Sequence, residues 1–252
     1  MSNLFGNLTN EGLEESQDRL GGYQVTPSDA YEATIKMAYA IKSAGGAHGI
    51  VLMADLGGKD YTETVYITNK QGENFFLNKQ DKSKKLPLPG FTTIDDICLL
   101  ASDKPLSQQT TEEKIVKIYD YEQKKEVPTA VPVLTDLVGK KVILGIIAQT
   151  VNKNVKNDRT GDYEPTAESR DENVIEKSFH ADLKVTVVEA KAGKTSPEFY
   201  EAWVAKNKGV TRDRRTIKDG ATGQQGQSGK PGAAPVAGGG AAKTNSLFGA
   251  KS

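Results

Sequence analysis

Two kinds of side chain recur together along this chain: aromatic rings and lysines. Phe75 and Phe76 stand beside Lys79, Lys82, Lys84 and Lys85. Tyr119 and Tyr121 flank Lys117, Lys124 and Lys125, while Lys153, Lys156 and Arg159 precede Tyr163. Tyr66 shares the parity of Thr62, Thr64 and Thr68 on a polar side of its run. The chemistry that uses both types is capture of single-stranded nucleic acid. Cations follow the phosphates, and bases stack on rings at roughly 1–3 kcal/mol each. Tyr61 and Tyr66 differ in parity on an extended run, so they face opposite sides, as do Phe75 and Phe76. The same residues have a plainer use, with rings filling a small core and lysines solubilising it. Repetition of the pairing in three places favours the first use.

Other chemistries are harder to assemble. His48 and His180 have no Cys or second His at ligand spacing, which argues against zinc. Cys98 lies in the apolar stripe of a helix and reads as a buried small hydrophobe. Gly229-Lys230 imitates the end of a phosphate-binding loop, but Pro231 stands where a hydroxyl would hold magnesium, and no strand precedes it. Asp55, Asp60, Glu63, Asp95 and Asp96 are spaced for a turn, a strand face and a helix start. Neither an enzyme nor a cofactor is expected.

The elements that must position the rings begin with Ala30–Thr68. Three strand-length runs alternate in polarity and are separated by Ala44-Gly45-Gly46 and Gly57-Gly58, the pattern of a β-meander. Phe75-Phe76-Leu77 starts another strand, and Lys79–Lys85 with the prolines after it is an exposed loop. Thr92–Ala101 is a helix, with Thr92 or Thr93 as cap and Asp95 and Asp96 in its first turn. Residues 115–119 and 126–134 form a hairpin whose second arm, with Pro128 and Pro132, lies at an edge. Lys140–Ala148 is the most apolar strand and central. Residues 152–177 read as a long charged loop, and 178–190 as the last strand. Ser196-Pro197 opens a helix whose apolar face is Phe199, Trp203 and Val204.

The predicted fold is mainly β: an OB-fold-like Greek-key barrel with one internal helix, one C-terminal helix and a disordered Gly-rich tail. Its parts are an acidic arm (1–29), a binding domain (30–205) and a basic tail (206–252). The whole chain of 252 residues is neutral, but the arm carries a net −4 and the tail a net +7. The basic tail points to an anionic partner or an acidic protein surface. Hydrophobic content of 37% and a mean hydropathy of −0.52 are low, as a partly disordered chain requires. No run is apolar enough for a membrane span, no secretory signal is recognisable, and the single cysteine suits a reducing cytoplasm.

The run Tyr31–Thr68, the segment Phe75–Leu100 and the ending Ser246-Leu247-Phe248-Gly249-Ala250-Lys251-Ser252 resemble phage-encoded single-stranded DNA-binding proteins. More narrowly, they resemble those of podophages that carry a large virion RNA polymerase. The resemblance implies protection of single strands in DNA replication and recombination, within the host bacterial cytoplasm. It also implies activation of host RNA polymerase at late promoters through the extreme C-terminus, with Ser246, Lys251 and Ser252 as the matching residues. Leu247 and Phe248 read as a tethered contact peptide. The tail is basic, so the partner sites of the acidic tails of bacterial single-strand-binding proteins are not carried over. The expected interface is Tyr66, Phe75 or Phe76, and Tyr119 for stacking, with Lys79, Lys82, Lys84, Lys85, Lys153, Lys156 and Arg159 on phosphates. A virion or scaffolding interaction protein is the competing class, with a structured-RNA-binding module as a third.

Overall fold

The computed structural model describes residues 25–120, 123–157, 159 and 163–217. The chain runs through β1 (Asp29–Lys42), β2 (His48–Asp55), β3 (Asp60–Tyr66), β4 (Phe75–Leu77), β5 (Lys85–Pro87) and α1 (Pro89–Ser102). It continues through β6 (Thr111–Asp120), β7 (Lys125–Leu134), β8 (Lys141–Lys156), β9 (Tyr163–Phe179), α2 (Val187–Lys191), α3 (Glu198–Asn207) and β10 (Thr211–Asp213). The protein is mainly β, and no helix among the described residues is long and apolar enough to cross a membrane.

β1 serves two neighbours. Its first half pairs β8 from Asp29↔Ile146 to Thr34↔Lys141, and its second half pairs β2 from Thr34↔Asp55 to Lys42↔His48. A bulge between Ile35 and Met37 lies where the strand passes from one partner to the other. β2 pairs β3, and β8 pairs both β9 and, in parallel, β10. Alternation sends Ala33, Ile35, Ile50, Leu52, Ala54, Tyr61, Val65, Val142, Leu144 and Ile146 to one core, which Ile94, Ile97 and Cys98 of α1 complete. Burial pushes the Cys98 thiol up to about 12, so it stays a protonated packing group. The opposite face of β8 buries Ile143 and Ile147 against Phe179 and Trp203. The Phe179 ring meets Tyr200 edge-on at 5.1 Å and Trp203 at 6.0 Å.

The sheet does not close on itself. Among the described residues no ladder joins β3 to β9. The Glu63 side chain bridges the seam: its Oε2 accepts from the Ile175 amide at 2.8 Å and from the Tyr61 hydroxyl at 2.6 Å. In place of the expected barrel there is an open sheet with α1 packed against both sides of its seam.

Three expectations change here. Within the expected loop 152–177, residues 152–156 and 163–177 are instead the outer arms of the β8–β9 hairpin. Residues 180–190 are not a strand: β9 ends at Phe179, Lys184 adopts a left-handed φ of 57°, and Thr186 caps α2 reciprocally with Glu189. The boundaries at 29 and 206 also move outward. The Asn173 side chain pairs with both backbone groups of Thr26, and the Asn152 side chain does the same for Ile217. Each amide imitates a peptide unit and extends the sheet where a backbone partner is missing. Glu176 further fixes the C-terminal segment, accepting from Trp203 Nε1 at 2.9 Å and pairing with Arg212. Residues 1–24 of the arm and 218–252 of the tail lie outside the described residues, and with them Ser246, Leu247, Phe248, Lys251 and Ser252.

α1 begins earlier than the capping threonines suggest, with Leu88 at the N-cap and Pro89 in the first turn. Thr92 and Thr93 instead turn their hydroxyls back to the Leu88 and Pro89 carbonyls. Asp95 and Asp96 consequently lie beyond the first turn, and Asp95 accepts from the Leu106 amide at 2.7 Å. Proline's fixed φ starts this helix more effectively than a hydroxyl cap further on.

Candidate nucleic-acid interface

Tyr66 ends β3 opposite Gly49, half exposed, while Tyr61 is buried on the other face. Two glycines set its position. A Cβ on Gly49 would lie 3.2 Å from the Tyr66 ring, so the ring rests on the bare backbone of β2. A Cβ on Gly90 would lie only 2.1 Å from the Tyr66 carbonyl oxygen, so the first turn of α1 crosses β3 in direct backbone contact. Gly90→Ala must therefore separate α1 from β3. The expected cost is about 1–3 kcal/mol in urea unfolding, accompanied by displacement of Tyr66. Gly49→Ala meets the Tyr66 ring at 3.2 Å and the Val65 carbonyl oxygen at 3.3 Å, a milder crowding than at Gly90, and is expected to cost less.

The same crossing fixes the base of the β4–β5 hairpin at this end of the sheet, because β5 ends only three residues before Gly90 and the Leu88 amide bonds the Asn74 carbonyl. The hairpin pairs Phe75↔Pro87, Phe76↔Leu86 and Leu77↔Lys85. Lys85 Nζ sits 4.2 Å from the centre of the Phe75 ring and holds that ring in place. Asn69, Glu73, Phe75, Phe76, Leu77 and Lys85 line an open cleft of about 490 Å³. The connecting turn is internally fixed: Asn78 Oδ1 accepts from the Gln80 amide, and Asp81 accepts from the Ser83 hydroxyl and amide. Those bonds hold the Asp81 carboxyl below its usual range, and Lys84 lies 3.3 Å from it. Lys79 and Lys82 are exposed, with no ion pair among the described residues.

Sequence reasoning missed Lys70, Leu77 and Leu86. Lys70 reaches this end because its side chain passes Gly45 in the β1–β2 turn and its carbonyl abuts Gly46. Leu77 and Leu86, 48% and 36% exposed, give the small hairpin an apolar surface that polar hairpins lack. The readable signal was the Phe-Phe-Leu run facing Leu-Pro-Leu across a lysine turn.

Register decides which remaining residues can join. β7 meets β1 at Tyr39↔Val133, antiparallel, so the β6–β7 hairpin projects past Lys42, the Tyr66 end of the sheet. Tyr119 rides near its tip, half exposed, while Val116, Ile118, Val131 and Val133 cover Tyr39 and Val51. Tyr121 lies outside the described residues. β8 runs the other way, reaching past Asp29, so the β8–β9 tip leaves from the opposite end. Lys153, Lys156 and Arg159 are therefore not part of a common surface with Tyr66. From Ile41 back to Asp29, and from Ile146 out to Lys156, is on the order of 70 Å of strand contour. Lys153 is in addition paired with Glu168 at 3.0 Å, which offsets its charge. Among the described residues, no three His, Cys, Asp or Glu side chains converge as a metal site.

Comparison with protein-family models, curated proteins and solved structures yields no match.

Proposed function

We propose that this protein binds single-stranded DNA independently of sequence, at the end of the sheet that carries Tyr66 and the β4–β5 hairpin. The observation that carries this reading is the Gly90 crossing, which ties the strand end bearing an exposed tyrosine to the base of the hairpin that carries Phe75, Phe76 and the lysine turn, through the Leu88 amide on the Asn74 carbonyl. Rings and cations side by side on a fixed scaffold are what single-strand binding requires. The strand arrangement supports an OB-like fold, opened at the β3–β9 seam: a long bulged first strand shared by two partners, and a helix after the third strand. In OB-folds the outer surface of the second and third strands and the first turn receive oligonucleotides. Here that surface offers Tyr66, Thr64 and Thr62, with Lys70 against the turn.

The resemblance to phage single-stranded DNA-binding proteins extends the reading to DNA replication and recombination in the host cytoplasm. It assigns the C-terminal peptide with Ser246, Leu247, Phe248, Lys251 and Ser252 to partner recruitment, with host RNA polymerase at late promoters as the partner.

Fluorescence anisotropy with labelled oligo-dT and a duplex of equal length tests the binding. The expected result is a preference for oligo-dT that weakens with salt. With Lys84 paired to Asp81, Lys79, Lys82 and Lys85 together predict a log–log slope of about −2.1, at about −0.7 per neutralised phosphate, and Lys79→Ala with Lys82→Ala lowers its size by about 1.4. Equal affinity for duplex, or none for either, rejects the reading and leaves a virion or scaffolding interaction protein in its place.

A further inference from the structure

The β6–β7 hairpin protects one of its edges and leaves the other open. β6 pairs only with β7, and its far edge carries no ladder among the described residues. Within the hairpin Pro128 faces Lys117 and Pro132 faces Glu113. Proline has no N–H, so these are the non-hydrogen-bonded pairs of the ladder, and by alternation Ile115↔Ala130 is another. Two consequences follow. On β7 the missing N–H groups fall on its outer edge, which blunts it against further pairing. On β6 the N–H and C=O groups of Glu113, Ile115 and Lys117 all point to the open edge, with no proline to block them. Ile115 is 77% exposed, the largest exposure of any bulky apolar side chain among the described residues.

We propose that β6 pairs antiparallel with β6 of a second copy, centred on Ile115, to give a two-fold dimer with a continuous β7-β6-β6-β7 ribbon. In this register Ile115 meets its own mate, and each Glu113 stands opposite the second copy's Lys117. The edge is self-complementary in the way a two-fold interface demands. Neighbouring registers are worse. Centring on Glu113 or Lys117 sets like charges against each other, which is destabilising. Centring on Lys114 or Val116 sets the exposed Ile115 against Glu113 or Lys117. Registers of the other parity oppose groups already bonded to β7. The isoleucine, the two ion pairs and the outward backbone groups thus select one alignment.

Sedimentation velocity of the full chain without nucleic acid tests this, with circular dichroism to verify folding of each variant. Wild type is expected to form a concentration-dependent dimer. Glu113→Lys and Lys117→Glu each set two like-charge pairs across the edge, and each raises the dimer dissociation constant by about tenfold or more. Mixing the two variants restores dimer, because a chain with lysine at both positions then faces a chain with glutamate at both. A monomer at every soluble concentration overturns the proposal, including the case in which another segment of the chain covers β6. A dimer indifferent to both charge reversals also overturns it, since some other surface then makes the contact.

Discussion

Tyr66→Ala and Phe75→Ala are each expected to lower affinity for oligo-dT by roughly 5- to 150-fold, from about 1–3 kcal/mol of lost stacking per ring. The two losses combine, because Gly90 brings both rings to one end of the sheet. Lys153→Ala and Lys156→Ala serve as the contrast. They remove charges as large as those of the lysine turn, but at the opposite end and, for Lys153, already balanced by Glu168. Their expected effect on the same titration is under about twofold, the scale of an exposed, screened charge. If the ring variants bind as wild type while the Lys153 and Lys156 variants lose affinity, the interface lies on the β8–β9 hairpin instead. Both ring substitutions sit at partly exposed positions, so thermal unfolding separates loss of binding from loss of fold.

Glu63→Gln is expected to stabilise the protein at alkaline pH and leave it nearly unchanged in mild acid. Burial raises the Glu63 carboxyl from the ordinary 4.5 to about 7, although Tyr61 and Ile175 both donate to it. A carboxyl whose folded pKa is raised holds its proton more tightly in the native state. Its ionisation therefore costs stability progressively from about pH 4.5 to about pH 7, and in full above that. The difference corresponds to about 3 kcal/mol. Glutamine keeps an oxygen able to accept from both donors, so the bridge over the seam survives without the buried charge. Urea unfolding at pH 5 and pH 8.5 reads this directly: the wild-type midpoint falls between the two, and the variant's does not. Parallel behaviour of the two proteins would falsify the assignment. Glu63→Ala is the opposite case, leaving the Ile175 amide unpaired at about 1–3 kcal/mol at either pH. Below pH 4 the trend reverses through Asp136. Its carboxyl is held down at about 2 by the Thr110 amide and Lys104, so its contribution fades as the pH drops from 3.8.

Much of the scaffold was legible because one face of each central strand is buried. Tyr61 and Tyr66 separate by parity alone, and the Lys141–Ala148 run is apolar on both faces because β8 is covered on both. Residues 163–172 have no such constraint. They form the solvated arm of a ribbon exposed on both faces, so no period of two is imposed on them. The stretch 180–188 shows the converse error: its alternation is real, yet the Thr186–Glu189 capping box, readable in the sequence, ends the strand pattern. Residues 206–217 look like tail by charge. They belong to the fold, as the end of α3, β10 and the segment after it, because Glu176 and Asn152, distant in sequence, supply Arg212 and Ile217 with partners.

Residue order was enough to establish which side-chain types could serve single-strand binding, the meander that carries Tyr66, and the apolar strand on which the core is built. These follow from local periodicity and turn chemistry, which act over a few residues. Which candidates share a surface emerged only from the folded chain. Antiparallel register sends the β6–β7 and β8–β9 hairpins to opposite ends of β1, and one backbone contact at Gly90 joins Tyr66 to the lysine hairpin. Pairing between strands a hundred residues apart leaves no mark on either strand's own pattern, so the composition of the interface had to come from the fold.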